Sequence, residues 1–215
     1  MRAMTRASGA GTPDWWDEAR GLLASRDPVL RRLIEQYAGP ALRRRSDAFT
    51  ALARAVVGQQ ISVKAADVLW QRLAATLGGV APASVADAQL DALRAAGLSL
   101  RKAEYVRDIA RAFAGGAVSL RAWERLDDEA LIAELTKLRG IGRWTAEMFL
   151  IFYMLRPDVL PLDDIGLQRA VRLHYGNDRP VSKLKMHAIA RPWLPFRTVA
   201  TWYLWRSLDP FPVEY

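Results

Sequence analysis

Leu138-Arg139-Gly140-Ile141-Gly142-Arg143-Trp144-Thr145-Ala146 stands between two stretches of helical apolar spacing, and Leu160-Pro161-Leu162-Asp163-Asp164-Ile165-Gly166 follows soon after. Glycine reaches backbone angles that cost other residues energy, so the Gly140-x-Gly142 spacing predicts a tight turn with a new helix starting almost at once. The N–H groups around Gly140, Gly142 and the first turn at Arg143 would converge on one anion, with the helix dipole helping. Arg139 and Arg143 add charge nearby. The same spacing also describes an ordinary corner between two helices, and on spacing alone that reading is the commoner one. Asp163 and Asp164 precede a helix, and either can serve as its N-cap. A carboxylate at a helix N-terminus stays ionised unless burial prevails, which suits stabilising a positive centre or orienting water. It would be a poor general acid.

Working outward, apolar residues recur with helical rather than alternating spacing nearly everywhere. The expected helices lie near 14–24, 27–38, 46–57, 62–77, 84–96, 101–114, 127–138, 143–155, 165–175, 182–191 and 196–207. The fold class is therefore all-α. Asp27-Pro28 opens one helix and Gly39-Pro40 closes it; Gly78-Gly79 and Gly115-Gly116 end two more, and Asp127 caps the next. No internal repeat or long linker divides the chain. Residues 1–13 read as a flexible tail, and 14–215 as one domain of two helical lobes with a cleft between them, the hairpin falling at about 133–150.

The 215 residues suffice for a real core, and 51% are apolar. Cysteine is absent, which excludes disulfides, thiolate zinc sites, cysteine nucleophiles and cysteine-ligated clusters. Lys and Arg number 31 against 23 Asp and Glu, a formal charge of +8, which favours a polyanionic partner. Met1–Pro13 lacks the apolar run of a signal peptide and no stretch suits a membrane span, so a cytoplasmic protein, nucleoid-associated if bacterial, is expected. His174 and His187 are lone histidines without neighbouring ligand types. Structural or surface roles suit them better than metal binding.

Four ordered segments carry a resemblance. Leu138–Ala146 and Leu160–Arg169 resemble the helix-hairpin-helix and Pro/Asp elements of the helix-hairpin-helix DNA glycosylase superfamily, in its 3-methyladenine DNA glycosylase II (AlkA-like) branch. Ala55-Val56-Val57-Gly58-Gln59-Gln60-Ile61-Ser62 resembles that branch's Gly-Gln-Gln-x-Ser segment, and Gly97-Leu98-Ser99-Leu100-Arg101-Lys102-Ala103-Glu104-Tyr105 its Gly-x-Ser-x-x-Lys segment. The resemblance is tightest over 50–170 and extends loosely over about 14–207. It implies a two-lobed helical fold with a DNA-binding cleft, without the β-rich N-terminal domain of some larger relatives.

The resemblance further implies a monofunctional, base-flipping enzyme that hydrolyses alkylated purines such as 3-methyladenine and 7-methylguanine out of double-stranded DNA in base excision repair. Asp164 falls on the family's catalytic aspartate, while Asp163 reads as a cap or a supporting residue. Loss of a base gives the sugar oxocarbenium character that a carboxylate stabilises, and a cationic alkylated purine leaves as a neutral base, so one carboxylate suffices. Trp144 stands where relatives that also cleave the backbone carry a Schiff-base lysine. It offers its face to a cationic base instead. Trp205 falls on a second stacking aromatic, and Met148 replaces an aromatic on the same wall. By position Gln60 is the wedge that fills the gap left by a flipped nucleotide, with Gln59 beside it and Val57 supporting; capping of backbone groups is the competing account of these amides.

Arg139, Gly140, Ile141, Gly142, Arg143 and Thr145, with Arg101 and Lys102, are the expected contacts to the DNA backbone. Arg107, Lys64 and Arg43–Arg45 are further basic candidates. No side-chain metal ligands or cofactor are expected, though the resemblance leaves room for a monovalent cation on carbonyls of the Arg139–Gly142 turn. Trp15, Trp16, Trp70, Trp123, Trp193 and Trp202 read as core. The expected partner is duplex DNA carrying alkylated bases, and the chain is expected to be a monomer. Rival readings are a non-catalytic lesion- or structure-binding protein, a bifunctional glycosylase/lyase for which Lys137 is the nearest amine, and a helical scaffold for protein partners.

Overall fold

The computed structural model describes residues 11–37, 41–44 and 46–209, so most of the tail expected over 1–13 lies outside the described residues. Among these residues every regular element is helical. In chain order they are α1 (Trp16–Arg26), α2 (Pro28–Gln36), α3 (Ala48–Gly58), α4 (Val63–Leu77), α5 (Pro82–Asp87), α6 (Leu90–Ala95), α7 (Leu100–Ala114), α8 (Leu120–Trp123), α9 (Asp128–Leu135), α10 (Arg143–Phe152), α11 (Ile165–Tyr175), α12 (Lys183–Ile189) and α13 (Arg197–Leu208), with a 3-10 turn at Arg191–Trp193. No described helix is long and apolar enough to cross a membrane.

Short polar residues set the starts of these helices. Asp27, Asp47, Ser62, Ser99, Ser119, Asp127, Asp164 and Ser182 each accept a backbone N–H in the first turn of the helix that follows. Gly78 ends α4 in the left-handed conformation, with φ 66°. The single helix expected over 84–96 is in fact two, because Ala88 and Gln89 are extended, with ψ of 138° and 142°. The break lets Val85 and Leu93 both be fully buried while α5 and α6 each pack on α7. A one-turn helix, α8, was not expected at all; Ser119 caps it and Trp123 anchors it.

The chain forms two compact units. One is continuous, Ser46–Phe149. Its core gathers Phe49, Leu52 and Val56 of α3, Val106 and Ile109 of α7 and Leu131 and Leu135 of α9, and an edge-to-face series runs from Phe49 through Phe113 and Trp123 to Phe149. The other combines Met1–Arg45 with Leu150–Glu214. There α13 is buried almost all round, from Thr198 through Leu204, with α1, α2 and α11 against it. Asp27 fastens this second core: besides capping α2, its Oδ2 accepts the Tyr175 hydroxyl and the Trp193 indole N–H, each at 2.9 Å. Trp15, Trp16, Trp123, Trp193 and Trp202 are buried, as expected of core residues. Trp70 is only half-buried and lies under the Arg54 guanidinium at 5.4 Å.

Candidate functional site

In the continuous unit, α9 gives way to a turn in which Ile141 N–H donates to the Leu138 carbonyl at 3.0 Å, and α10 begins at Arg143. Gly140 has φ +90°, and a Cβ there would fall 2.6 Å from Cγ of Tyr105 on α7. Glycine is thus required twice, by conformation and by contact. The Gly142 carbonyl accepts Ala146 N–H as the first helical bond, and the opening N–H groups of α10 have no partner within the helix, the arrangement that favours an anion. Ile141 and Thr145 are buried, so their side chains shape the turn from inside.

The two hairpin arginines are not surplus charge. Arg139 donates to Asp108 at 3.0 Å and to Glu104 at 3.1 Å, both on α7, and its guanidinium lies 5.3 Å from the centre of the Tyr105 ring. Arg143 pairs with Glu129 and, at 3.0 Å, with Glu147; its hydrogen bond to Glu129 holds that carboxyl below the usual range. Four carboxylates thus answer two guanidiniums. These ion pairs brace the hairpin while both guanidiniums stay largely exposed, Arg139 at 62% and Arg143 at 51%.

The Gln-Gln segment follows α3. Gln60 is exposed and left-handed, with φ 61°, whereas Gln59 Nε2 donates to the Gly140 carbonyl at 2.9 Å. The adjacent glutamines therefore differ in kind: Gln59 is spent on the hairpin and Gln60 projects. Lys102 donates to the Val57 carbonyl at 2.8 Å and the Gln59 carbonyl at 2.7 Å, and burial lowers its pKa. Its ammonium is committed to protein oxygens, unlike Arg101, which is exposed on the first turn of α7. Arg44 donates to the Tyr153 carbonyl at 2.7 Å, a tie within the discontinuous unit.

Asp164 resides in the discontinuous unit, and it is the N-cap: its Oδ1 accepts Leu167 N–H at 2.6 Å. The capping and reactive readings of the Asp-Asp pair therefore fall on one residue, while Asp163 pairs with Lys183. The same Oδ1 accepts the Trp205 indole N–H at 2.7 Å. Trp205, expected as a stacking wall, has one face on Phe152, with ring centres 5.9 Å apart and planes 10° off parallel. A Cβ at Gly166 would sit 3.0 Å from Asp164 Oδ1 and 3.2 Å from Trp205 Nε1, so glycine there lets indole and carboxylate meet. Gln168 ties the preceding loop by donating to the Leu162 carbonyl at 2.7 Å. Phe152 was not singled out from the sequence, and Gly166 and Gln168 entered it only as members of the Leu160–Arg169 segment, without a role; the one further sign was a glycine in the first turn of a helix, where it weakens the helix.

Trp144 is half-buried at the second position of α10, and Met148 one turn on is 3% exposed. Methionine at that depth packs against its neighbours, in keeping with a residue that replaces an aromatic on that wall. Among the described residues no three His, Asp or Glu side chains gather as metal ligands. The Gly140 and Leu138 carbonyls of the hairpin already accept Gln59 Nε2 and Ile141 N–H.

Residues 53–195 match the family model described as HhH-GPD superfamily base excision DNA repair protein. A curated Schizosaccharomyces pombe protein named DNA-3-methyladenine glycosylase 1 is 35% identical over 184 residues, covering 83% of this chain and 80% of its own. A Bacillus subtilis protein, YfjP, is 34% identical over 188 residues, 84% of this chain and 66% of its own length. A solved DNA-3-methyladenine glycosidase from Bacillus halodurans superposes with a TM-score of 0.80 at 34% identity, covering 97% of this chain and 96% of that one.

Proposed function

This chain belongs to the HhH-GPD superfamily of base excision DNA repair proteins, and from that membership we propose that it is a monofunctional DNA glycosylase acting on alkylated purines in duplex DNA. The observation that carries the reading is the Asp164 carboxylate, held at Oδ1 by the α11 backbone and by the Trp205 indole. Two fixed donors set the carboxylate's direction before substrate arrives, which is what electrostatic stabilisation of a transition state requires.

In the reaction, the C1′–N bond of an N3- or N7-alkylated purine lengthens and its electron pair leaves with the base, neutralising the base's positive charge. The sugar becomes an oxocarbenium ion, and Asp164 stabilises it. Water then adds at C1′ and gives up its proton, leaving an abasic site. Trp144 presents an indole to the cationic base, and Gln60 occupies the space that the flipped nucleotide vacates. The α10 N-terminus takes a backbone phosphate, with Arg101 as a supporting charge. Trp205 acts through Asp164 and is a positioning residue. Position 144 carries no amine, the lysine nearest in sequence, Lys137, is paired with Glu134 at 2.5 Å, and Lys102 is bound to two carbonyls, so a Schiff-base step has no ready nucleophile at the hairpin.

The test is release of free methylated bases from alkylated duplex DNA by the wild type and by Asp164→Asn. Release should fall by roughly a hundredfold or more in the variant, at unchanged DNA affinity. Equal release by both, or a borohydride-trapped covalent adduct with the wild type, would sink the assignment.

A further inference from the structure

Gln60 is not glycine, yet it occupies the left-handed region at the tip of the four-residue connection between α3 and α4. A non-glycine residue there is strained and persists only where its surroundings over-determine it. A connection needing nothing but a helix stop would be met by glycine.

Both sides of the strained residue are tied down from elsewhere in the same unit. Lys102, on α7, bonds the carbonyls of Val57 and Gln59, oxygens that the end of α3 leaves without helical partners. Gln59 bonds the Gly140 carbonyl of the hairpin with its own amide. Tyr105 and Glu104, from the same stretch of α7 as Lys102, hold the hairpin through Gly140 and Arg139. One helix thus fixes both the hairpin and the base of the projecting glutamine.

We propose that Lys102 and Gln59 are positioning residues that hold Gln60 in its strained, projecting conformation, ready to enter the DNA stack, and that Lys102 does not serve as a phosphate contact. This rests on the glycosylase reading, because it assumes that Gln60 enters duplex DNA. It departs from what a lysine in a basic, DNA-binding sequence suggests. The ammonium is bound to two carbonyls and partly withdrawn from water, and burial lowers its pKa, the reverse of a lysine poised on the surface for phosphate.

The two roles separate experimentally. A phosphate contact contributes about one unit to the slope of log affinity against log salt, and its loss lowers that slope. A clamp leaves the slope alone and acts through Gln60. The variants Lys102→Met, Lys102→Arg and Gln60→Ala are assayed on a duplex with 2-aminopurine beside an abasic analogue, where fluorescence reports unstacking, and on methylated duplex for single-turnover base release. Lys102→Met should abolish the fluorescence rise and slow release roughly tenfold or more, with Lys102→Arg restoring much of both. In the Gln60→Ala background it should add little, since coupled residues are non-additive. A normal fluorescence rise in Lys102→Met, a salt slope lowered by about one, or full additivity with Gln60→Ala would overturn the proposal. If Lys102→Met does not fold, Gln59→Leu, which removes the other tether, carries the same comparison. Fluorescence unstacking without base release by the wild type would instead count against the glycosylase reading, leaving the clamp standing.

Discussion

At residue scale, Trp205 has two separable properties, a ring that rests on Phe152 and an N–H that reaches Asp164. Trp205→Phe keeps the first and deletes the second. A hydrogen bond to a charged group is worth about 1.5–3 kcal/mol, so kcat should fall roughly tenfold or more while KM changes little. Steady-state kinetics on a defined methylated duplex decide it; a variant with raised KM and unaltered kcat would return Trp205 to substrate stacking. The sequence offered Asp164 as a cap, which the structure shows, but could not show its contact with Trp205. Their contact spans 41 residues and depends on Gly166 lacking a side chain. Likewise, adjacent Gln59 and Gln60 are indistinguishable as letters. They part company only when the backbone turns left-handed between them and the hairpin comes within reach of one amide.

At the scale of elements, the hairpin between α9 and α10 turns on Gly140. Gly140→Ala must adopt φ near +90° and push into the Tyr105 ring, so it should lower stability by about 1–3 kcal/mol and weaken DNA binding. Chemical denaturation and a binding titration measure the two effects; a fully stable, tightly binding variant would mean that the turn is more pliant than its geometry indicates. Helix starts were legible because Ser and Asp caps act locally, within three residues. The division of 84–96 was not legible. Ala88 and Gln89 are compatible with a helix, and only the need to seat Val85 and Leu93 together on α7 extends them. One-turn α8 offers too few residues for a periodic signal. Arg139 of the hairpin read as free charge for the same reason: its carboxylate partners on α7 are more than thirty positions away.

At the scale of the whole molecule, stability should depend on pH through His174, which joins the end of α11 to Ser207 of α13 at 2.8 Å and lies beside Arg32 of α2. Burial, and then the charge of Arg32, lowers its pKa from 6.5. The unfolded chain therefore binds this proton more readily than the folded one. The stabilisation is complete above about pH 6.5 and drains away as pH falls through that value toward the lower folded pKa. Thermal melts from pH 7.5 to 5 should show the wild type losing more stability than His174→Asn over that window, and parallel curves would remove His174 from the account. The division into units also orders events in time. Ser46–Phe149 is one uninterrupted run, whereas its companion needs residues from both sides of that run. On a ribosome, the segment bearing the hairpin and Gln60 is complete as sequence once Phe149 has been added, before Asp164 is translated. The segment that would seek DNA is synthesised first, and the carboxylate that would stabilise the sugar cation follows it.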